Sequence, residues 1–284
     1  LKIPRVDLIH IEKWASYSVS HCEKASGGFR TIYNPCPRLK RVQKRIKILL
    51  QRISMPEWLF SGRKKLCHVQ NAKFHEGNLR FVQSDLHAFY DSCSRDYVYR
   101  FFKDELKRSA DVSAILCDLT TWRLDDGSTL IPTGSPSAQL VAFFAYKKMF
   151  ESFNGLAVKH ACKFSLYVDD LTFSSKDSFA NPLKFEKEIN RIAKRYGHSI
   201  SLSKTLYRGK PDTKIITGVA LDPQGKACIP NKLRHRIVDG ISSVCAGDFS
   251  EAASTLGRIG AARMIEPSTF PEAERQVRLC LDKV

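Results

Sequence analysis

Residues 165–175 read SLYVDDLTFSS. Two adjacent aspartates interrupt a run of strand-forming residues, although Asp is depleted in strands and like charges repel. Phe164, Leu166, Tyr167 and Val168 on one side, and Leu171, Thr172 and Phe173 on the other, suit two strands with the Asp pair at the tip between them. A tight hairpin turn would account for Asp there. The favoured two-residue turns put Gly after Asp, however, and Leu171 follows here. A bound cation also accounts for the arrangement, because carboxylates tolerate proximity when a metal neutralises them. The pair by itself leaves both readings open.

The 284 residues are enough for one large domain or two to three subdomains. Lys and Arg number 46 against 29 acids, a net charge of +17. That balance is the footprint of a protein whose partner carries many phosphates. No apolar run approaches a membrane span, and no long basic amphipathic helix has an aromatic face, so an anionic membrane is the poorer partner. Residues 24–65 hold twelve Lys or Arg and one acid, Glu57. This is too lopsided for salt-bridge lacing, and Arg41 and Lys44 stand out within it as candidates for phosphate contact. The nine cysteines are scattered without a C-x-x-C pair, which with no signal peptide points to reduced thiols and a cytoplasmic protein. The chain opens at Leu1 and not Met, so a few further N-terminal residues are expected.

No repeat, low-complexity tract or flexible linker divides the chain, which favours compact subdomains in one unit. The pattern predicts a short helix over 11–16, a glycine turn and strand over 26–33, and an amphipathic helix over 37–53 with its basic face outward. A strand within 79–90 ends near Asp85, and helices follow over 95–106 and 112–121. A hairpin turn lies at 125–127, and one apolar helix is expected over 135–153, with Pro136 in its first turn. After the Asp hairpin come a helix over 182–196, an extended 200–205, a second hairpin at 222–225, and helices from about 231. The fold class is α+β, an antiparallel sheet with helices packed on one face.

Asp85 gives a second strand end carrying an acid. Three carboxylates converging at one sheet edge could hold two divalent cations for phosphoryl or nucleotidyl transfer, one activating the attacking hydroxyl and the other stabilising the leaving group. In isolation Asp85 reads equally well as a strand-end or helix-capping residue.

At this point the residues resemble a family. YVDD at 167–170, with Asp85 upstream, looks like the palm of a reverse transcriptase, and the resemblance runs in order through nearly the whole chain. KASGGFR at 24–30 is similar to the segment whose Lys and Arg, here Lys24 and Arg30, hold the incoming triphosphate. Both cations suit that role, Arg as a bidentate partner. Tyr90 matches the steric gate that rejects a ribose 2′-hydroxyl. PTGSP at 132–136 matches the loop that packs against template and nucleotide, where Gly134 permits close backbone approach. Lys204 in LSKT falls at the motif whose lysine lies near the leaving phosphates. By resemblance the backbone carbonyl of Leu86 joins Asp85, Asp169 and Asp170 as a metal ligand.

Two motifs narrow the branch. NAKFH at 71–75 fits the N-A-x-x-H pattern of retron reverse transcriptases, and ITG at 216–218 resembles their V-T-G triplet. In that family these regions recognise the cognate RNA, which makes Asn71, His75, Thr217 and Gly218 candidates for RNA contact, since such groups can hydrogen-bond bases or 2′-hydroxyls. Asn71 as a turn cap and His75 as a satisfied buried histidine is the other reading. PTG stands where the family has PQG, and Thr133 lacks the amide that would reach template or nucleotide.

The resemblance implies a right hand of fingers (1–84), palm (85–230, with a helical insertion about 94–122) and thumb (231–284), with no RNase H domain attached. It implies two Mg²⁺ ions, dNTPs, and a structured noncoding RNA as template and primer, with an RNA–DNA hybrid as product. It further implies antiviral defence together with a separate effector protein, and no membrane partner. A defence-associated reverse transcriptase outside the retrons, an RNA-synthesising or cyclase relative, and a non-catalytic RNA-binding scaffold are the alternatives.

Overall fold

The computed structural model describes residues 3–23, 27–177, 179 and 181–281. Pro4, whose ring fixes φ near helical values, immediately precedes α1 (Arg5–Ile9), and a 3₁₀ turn follows at Ile11–Lys13. The helix expected over 11–16 therefore lies earlier in the chain. The Trp14 indole ties back to it, donating to the Asp7 carbonyl at 2.8 Å. Strands β1 (Tyr17–Glu23) and β2 (Phe29–Pro35) form an antiparallel hairpin with Tyr17 opposite Pro35. Next, α2 (Pro37–Leu50) buries Leu39, Val42, Ile46 and Leu50, a spacing that leaves its basic residues on the outer face.

After α3 (His68–Lys73) comes β3 (Arg80–Asp85), then α4 (Arg95–Arg100), which runs into a π-helical turn at Phe101–Glu105. Helix α5 (Ala110–Asp118) stops short of the expected residue 121. The Thr120 and Thr121 hydroxyls donate to the Leu116 and Cys117 carbonyls at 2.7 and 2.8 Å and take over the last turn. A small hairpin, β4 (Trp122–Arg123) and β5 (Thr129–Leu130), brackets the expected turn.

The single helix expected over 135–153 is two, α6 (Ala138–Ala145) and α7 (Lys147–Lys159). The joint is Tyr146, at φ −109° and ψ 19°. Its buried ring stacks on Tyr97 at 4.6 Å and meets His198 edge-on at 4.5 Å, while its hydroxyl accepts from the Ser94 amide at 2.8 Å. These tertiary partners override local helix propensity. Strands β6 (Lys163–Tyr167) and β7 (Asp170–Ser175), helix α8 (Pro182–Arg195) and strands β8 (Leu206–Arg208), β9 (Lys214–Ile216), β10 (Val219–Leu221) and β11 (Ala227–Cys228) follow. Helices α9 (Asn231–Cys245), α10 (Ala252–Ile265) and α11 (Pro271–Leu281) end the chain.

The central sheet is antiparallel in the order β6-β7-β3-β8. Val82, Phe164, Leu166, Leu171 and Phe173 point into the main core with Phe143, Phe150, Phe153 and Phe185. Helices cover this face as expected. The opposite face is also covered: Ser165, Thr172 and Ser174 are buried there, and Phe81 joins Val69 and Ala72 of α3 in a second core. That core draws in Ile216, Val219 and Leu221 from β9 and β10, and Ile237, Ile259 and Ala262 from the C-terminal helices. Packing therefore continues across residue 230.

Gly134 fastens the N-terminal hairpin to the body. The Tyr33 amide donates to the Thr133 carbonyl at 2.7 Å, and Gly134 adopts φ +109°. A Cβ there would sit 2.9 Å from the Tyr33 carbonyl oxygen and 3.0 Å from Ile32 Cγ2. The close approach expected of this glycine is thus to the chain's own β2. We expect Gly134→Ala to destabilise the protein by roughly 2 kcal/mol or more, read by chemical denaturation.

Candidate active site

The carboxylates converge because of strand register. Asp85 ends β3 directly opposite Asp170, the first residue of β7. Tyr167 pairs with Asp170, so the turn between β6 and β7 consists of Val168 and Asp169. The Asp pair expected at the tip is therefore split: Asp169 is in the turn, and Asp170 opens the strand. One ligand oxygen from each of Asp85, Asp169 and Asp170 lies within 4.8 Å of the others. Oxygen donors at this spacing suit a hard divalent cation such as Mg²⁺.

The turn is strained. Val168 sits at φ +62°, an outlier for a β-branched residue that costs about 1–3 kcal/mol. Neighbouring chain holds it there. Residues 58–60 run beside β6, with the Leu166 amide donating to the Trp58 carbonyl at 2.8 Å and the Phe60 amide to the Leu166 carbonyl at 3.0 Å. At the end of this run the buried Ser61 hydroxyl accepts from the Val168 amide at 2.8 Å.

Asp85 is clamped from the other side. The Ser201 amide donates to the Asp85 carbonyl at 2.7 Å, and its hydroxyl donates to Asp85 Oδ2 at 3.1 Å. Lys204 Nζ donates to the same oxygen at 2.6 Å. Lys204, expected near leaving phosphates, thus rests on a carboxylate in this structure. The Leu86 side chain is buried, and its amide donates to the Asp169 carbonyl at 3.2 Å.

Burial, then the Asp85 and Asp170 charges, pushes the Asp169 carboxyl up to about 7, with Arg30 opposing. Desolvation and Asp85 push Asp170 up to about 6, with Lys204 opposing. Arg30 is exposed on β2, and its charge acts on both Asp169 and Tyr90. Tyr90 is half-buried, and its hydroxyl is raised first by burial and then by Asp169. Arg30, Tyr90 and the acids therefore share one neighbourhood. Lys24 lies outside the described residues. A cleft of about 240 Å³ opens beside Asp85 and Asp170, lined also by Lys204, Thr172 and Thr217. A larger depression of about 390 Å³, lined by Pro271, Arg275 and Arg278 of α11, shares none of these residues.

Of the residues assigned to RNA, Asn71 and His75 are buried, whereas Thr217 is half-buried and Gly218 exposed. His75 is fully buried, and its Nδ1 and Nε2 lie 2.6 and 2.7 Å from the hydroxyls of Ser174 and Ser165. Burial, then Lys163, lowers it to about 3, so it is neutral. Through these two serines it braces the back of the sheet. Asn71 is also buried and donates to Thr217 Oγ1 at 3.3 Å, joining the two motifs. Arg41 and Lys44 are exposed on the outer face of α2. Ser61 and Ser201 were missed by sequence reasoning; an isolated serine carries no signal for a partner 107 or 116 positions away.

The raised carboxyls set the sign of the pH response. Between about pH 4 and 7 the folded state binds more protons than the unfolded chain, so without metal this pair's contribution to stability falls as pH rises. A divalent cation needs the ionised forms. The increase in melting temperature on adding Mg²⁺ should therefore grow from pH 5.5 to pH 8 in a thermal titration. Asp169→Asn should melt higher than the unsubstituted protein at pH 8 without metal, and should lose most of the Mg²⁺ response.

No family model matches the chain. Among curated proteins, the Retron Ec83 reverse transcriptase of Escherichia coli is 23% identical over 269 residues, covering 92% of this chain and 86% of that protein. The Retron Se72 reverse transcriptase of Salmonella heidelberg is 27% identical over 65% of this chain, which spans about half (48%) of that relative's length. The Retron Ec86 reverse transcriptase of Escherichia coli is 25% identical, covering 80% and 69%. Among solved structures, telomerase from Candida albicans with a fragment of telomeric RNA superimposes over 100% of this chain and 58% of its own, at TM-score 0.61 and 10% identity. Apo telomerase from Candida tropicalis gives 0.55 at 11% identity, over 93% and 58%. The chain has the right-hand polymerase fold, and along most of its length its sequence is similar to retron reverse transcriptases.

Proposed function

We propose that the protein is an RNA-directed DNA polymerase of the retron type, copying part of a cognate structured noncoding RNA into DNA. The observation that carries this reading is the triad: Asp85, Asp169 and Asp170 within 4.8 Å, on a fold shared with polymerases and a sequence similar to retron enzymes. On this reading residues 1–84 act as fingers, 85–230 as palm and 231–284 as thumb. Two Mg²⁺ ions would be held by the three carboxylates with the Leu86 carbonyl, and bound there they would supply an activated attacking hydroxyl and charge neutralisation on the leaving pyrophosphate.

The chain's own residues do the rest. Arg30, together with Lys24, binds the triphosphate of a dNTP. Tyr90 places a half-buried ring against the sugar and excludes a 2′-hydroxyl by bulk. The Lys204 ammonium, held at Asp85 Oδ2 on the wall of the cleft, would be within reach of the phosphates. The RNA serves as template and as primer, and the product is an RNA–DNA hybrid. The setting is cytoplasmic antiviral defence beside a separate effector protein. Among the described residues no helix is long and apolar enough to cross a membrane.

Expressed with its flanking genomic sequence, the protein should copurify with a discrete DNA covalently joined to RNA, resolved by separate RNase and DNase digestion. The Asp169→Ala, Asp170→Ala double variant should yield the RNA alone. RNA without attached DNA from the unsubstituted protein would overturn the retron reading in favour of a scaffold or a differently primed polymerase. In primer extension, Tyr90→Ala should incorporate ribonucleotides that the unsubstituted enzyme rejects; unchanged discrimination would remove Tyr90 from the gate.

A further inference from the structure

The turn between β9 and β10 consists of Thr217 and Gly218, and Thr217 lines the same cleft as Asp85, Asp170 and Lys204. Both turn residues have positive φ, +46° and +86°. Turns of this kind favour Asn, Asp or Gly at both positions, and a β-branched Thr in the left-handed region costs about 1–3 kcal/mol. Gly218 has nothing within 4 Å of where a Cβ would be, so its side of the turn is open. Something must hold Thr217 in place.

The hydrogen bonds around it form a consistent set. The Thr217 hydroxyl donates its single proton to the His68 carbonyl at 3.1 Å. Toward Asn71, 3.3 Å away, the same oxygen can therefore only accept, which orients the amide with Nδ2 facing Thr217. Asn71 Oδ1 is then left buried without a partner, at a cost of about 1–3 kcal/mol. Asn71 itself is only 1% exposed and sits on α3, and His75, two residues beyond that helix, is pinned to the central sheet through Ser165 and Ser174. From the other side, Gln83 of β3 donates to the Ile215 carbonyl at 2.9 Å. The turn is thereby referenced twice to the strands that carry the carboxylates.

We propose that Asn71 is a positioning residue: by donating to Thr217 it holds the Thr217–Gly218 turn at the rim of the cleft, and the turn sets the nucleic-acid 3′ end against the carboxylates. Asn71 acts through Thr217 and does not touch RNA. The identity of the strand in the cleft rests on the polymerase reading above; the relay itself does not.

The test uses the full chain with an RNA template and an annealed DNA primer. Asn71→Asp keeps the volume and replaces the donor with an acceptor, Thr217→Val removes the hydroxyl at constant shape, and Thr217→Ser retains it. The first two should raise KM for primer–template by roughly tenfold while KM for dNTP stays within about twofold, and Thr217→Ser should stay near the unsubstituted protein. Hydrogen exchange at residues 215–219 should speed up in Asn71→Asp and Thr217→Val only. Unchanged primer KM in both, or a Thr217→Ser as impaired as Thr217→Val, would overturn the proposal. If the unsubstituted protein extends no annealed primer, that result counts against extension of a separate primer and leaves the relay untouched. Exchange still decides the relay: faster exchange in both donor-loss variants supports it, and unchanged exchange overturns it.

Discussion

Everything at this site follows from one electrostatic constraint: β3 and β7 pair so that Asp85 lies opposite Asp170, with Asp169 one residue away in the turn. Two carboxylates 4.8 Å apart repel by roughly 3 kcal/mol at an effective dielectric of about 20, and three such pairs meet here. One lysine cannot balance this. Lys204 is 62% exposed, so its ion pair with Asp85 is screened, and Asp169 and Asp170 respond by holding their protons to higher pH. A divalent cation relieves all three contacts at once, which Lys204 does not.

Geometry that works against repulsion has to be held by something else, and the back of the sheet does it. Ser165, Thr172 and Ser174 replace the apolar residues that a two-sided strand would carry. Small polar side chains there let His75 approach closely, and Asn78 adds a 2.6 Å bond to the Ser174 hydroxyl. The same segment places Val69 and Ala72 in the second core with β9, β10 and the C-terminal helices. α3 thus ties the central sheet to the C-terminal half, beside the direct pairing of β3 with β8. Asn71 and His75 of the NAKFH motif brace the fold internally.

The sequence made legible what local chemistry specifies. Alternation around the Asp pair gave the hairpin, the acid at the end of 79–85 gave the third carboxylate, and spacing along α2 gave its buried face. The break at Tyr146 was not legible, because residues 135–153 have an unbroken helical pattern and the ring's partners, Tyr97 and His198, are remote in sequence. The same holds for Asn71 with Thr217, 146 positions apart, and for Ser201 with Asp85. Single polar side chains have no period, and only the fold decides whether they meet.

The basic charge also sorts itself once partners are visible. Arg38 pairs with Asp7 and lies 4.5 Å over the Trp14 ring, and Arg63 donates to the Pro56 and Leu59 carbonyls, so both belong to the architecture. Lys40, Arg41, Lys44 and Arg45 remain exposed along one strip of α2. On the proposed reading a polyanion meets two opposite demands in this protein. It is drawn in by a surface of net charge +17, yet its reacting end must enter a cleft lined by carboxylates that repel it. Nucleic acid alone cannot satisfy both, because every phosphate that approaches the triad raises the local negative charge. Divalent cations reconcile the two, and the clamped, strained carboxylate hairpin is the structure that such a requirement would select.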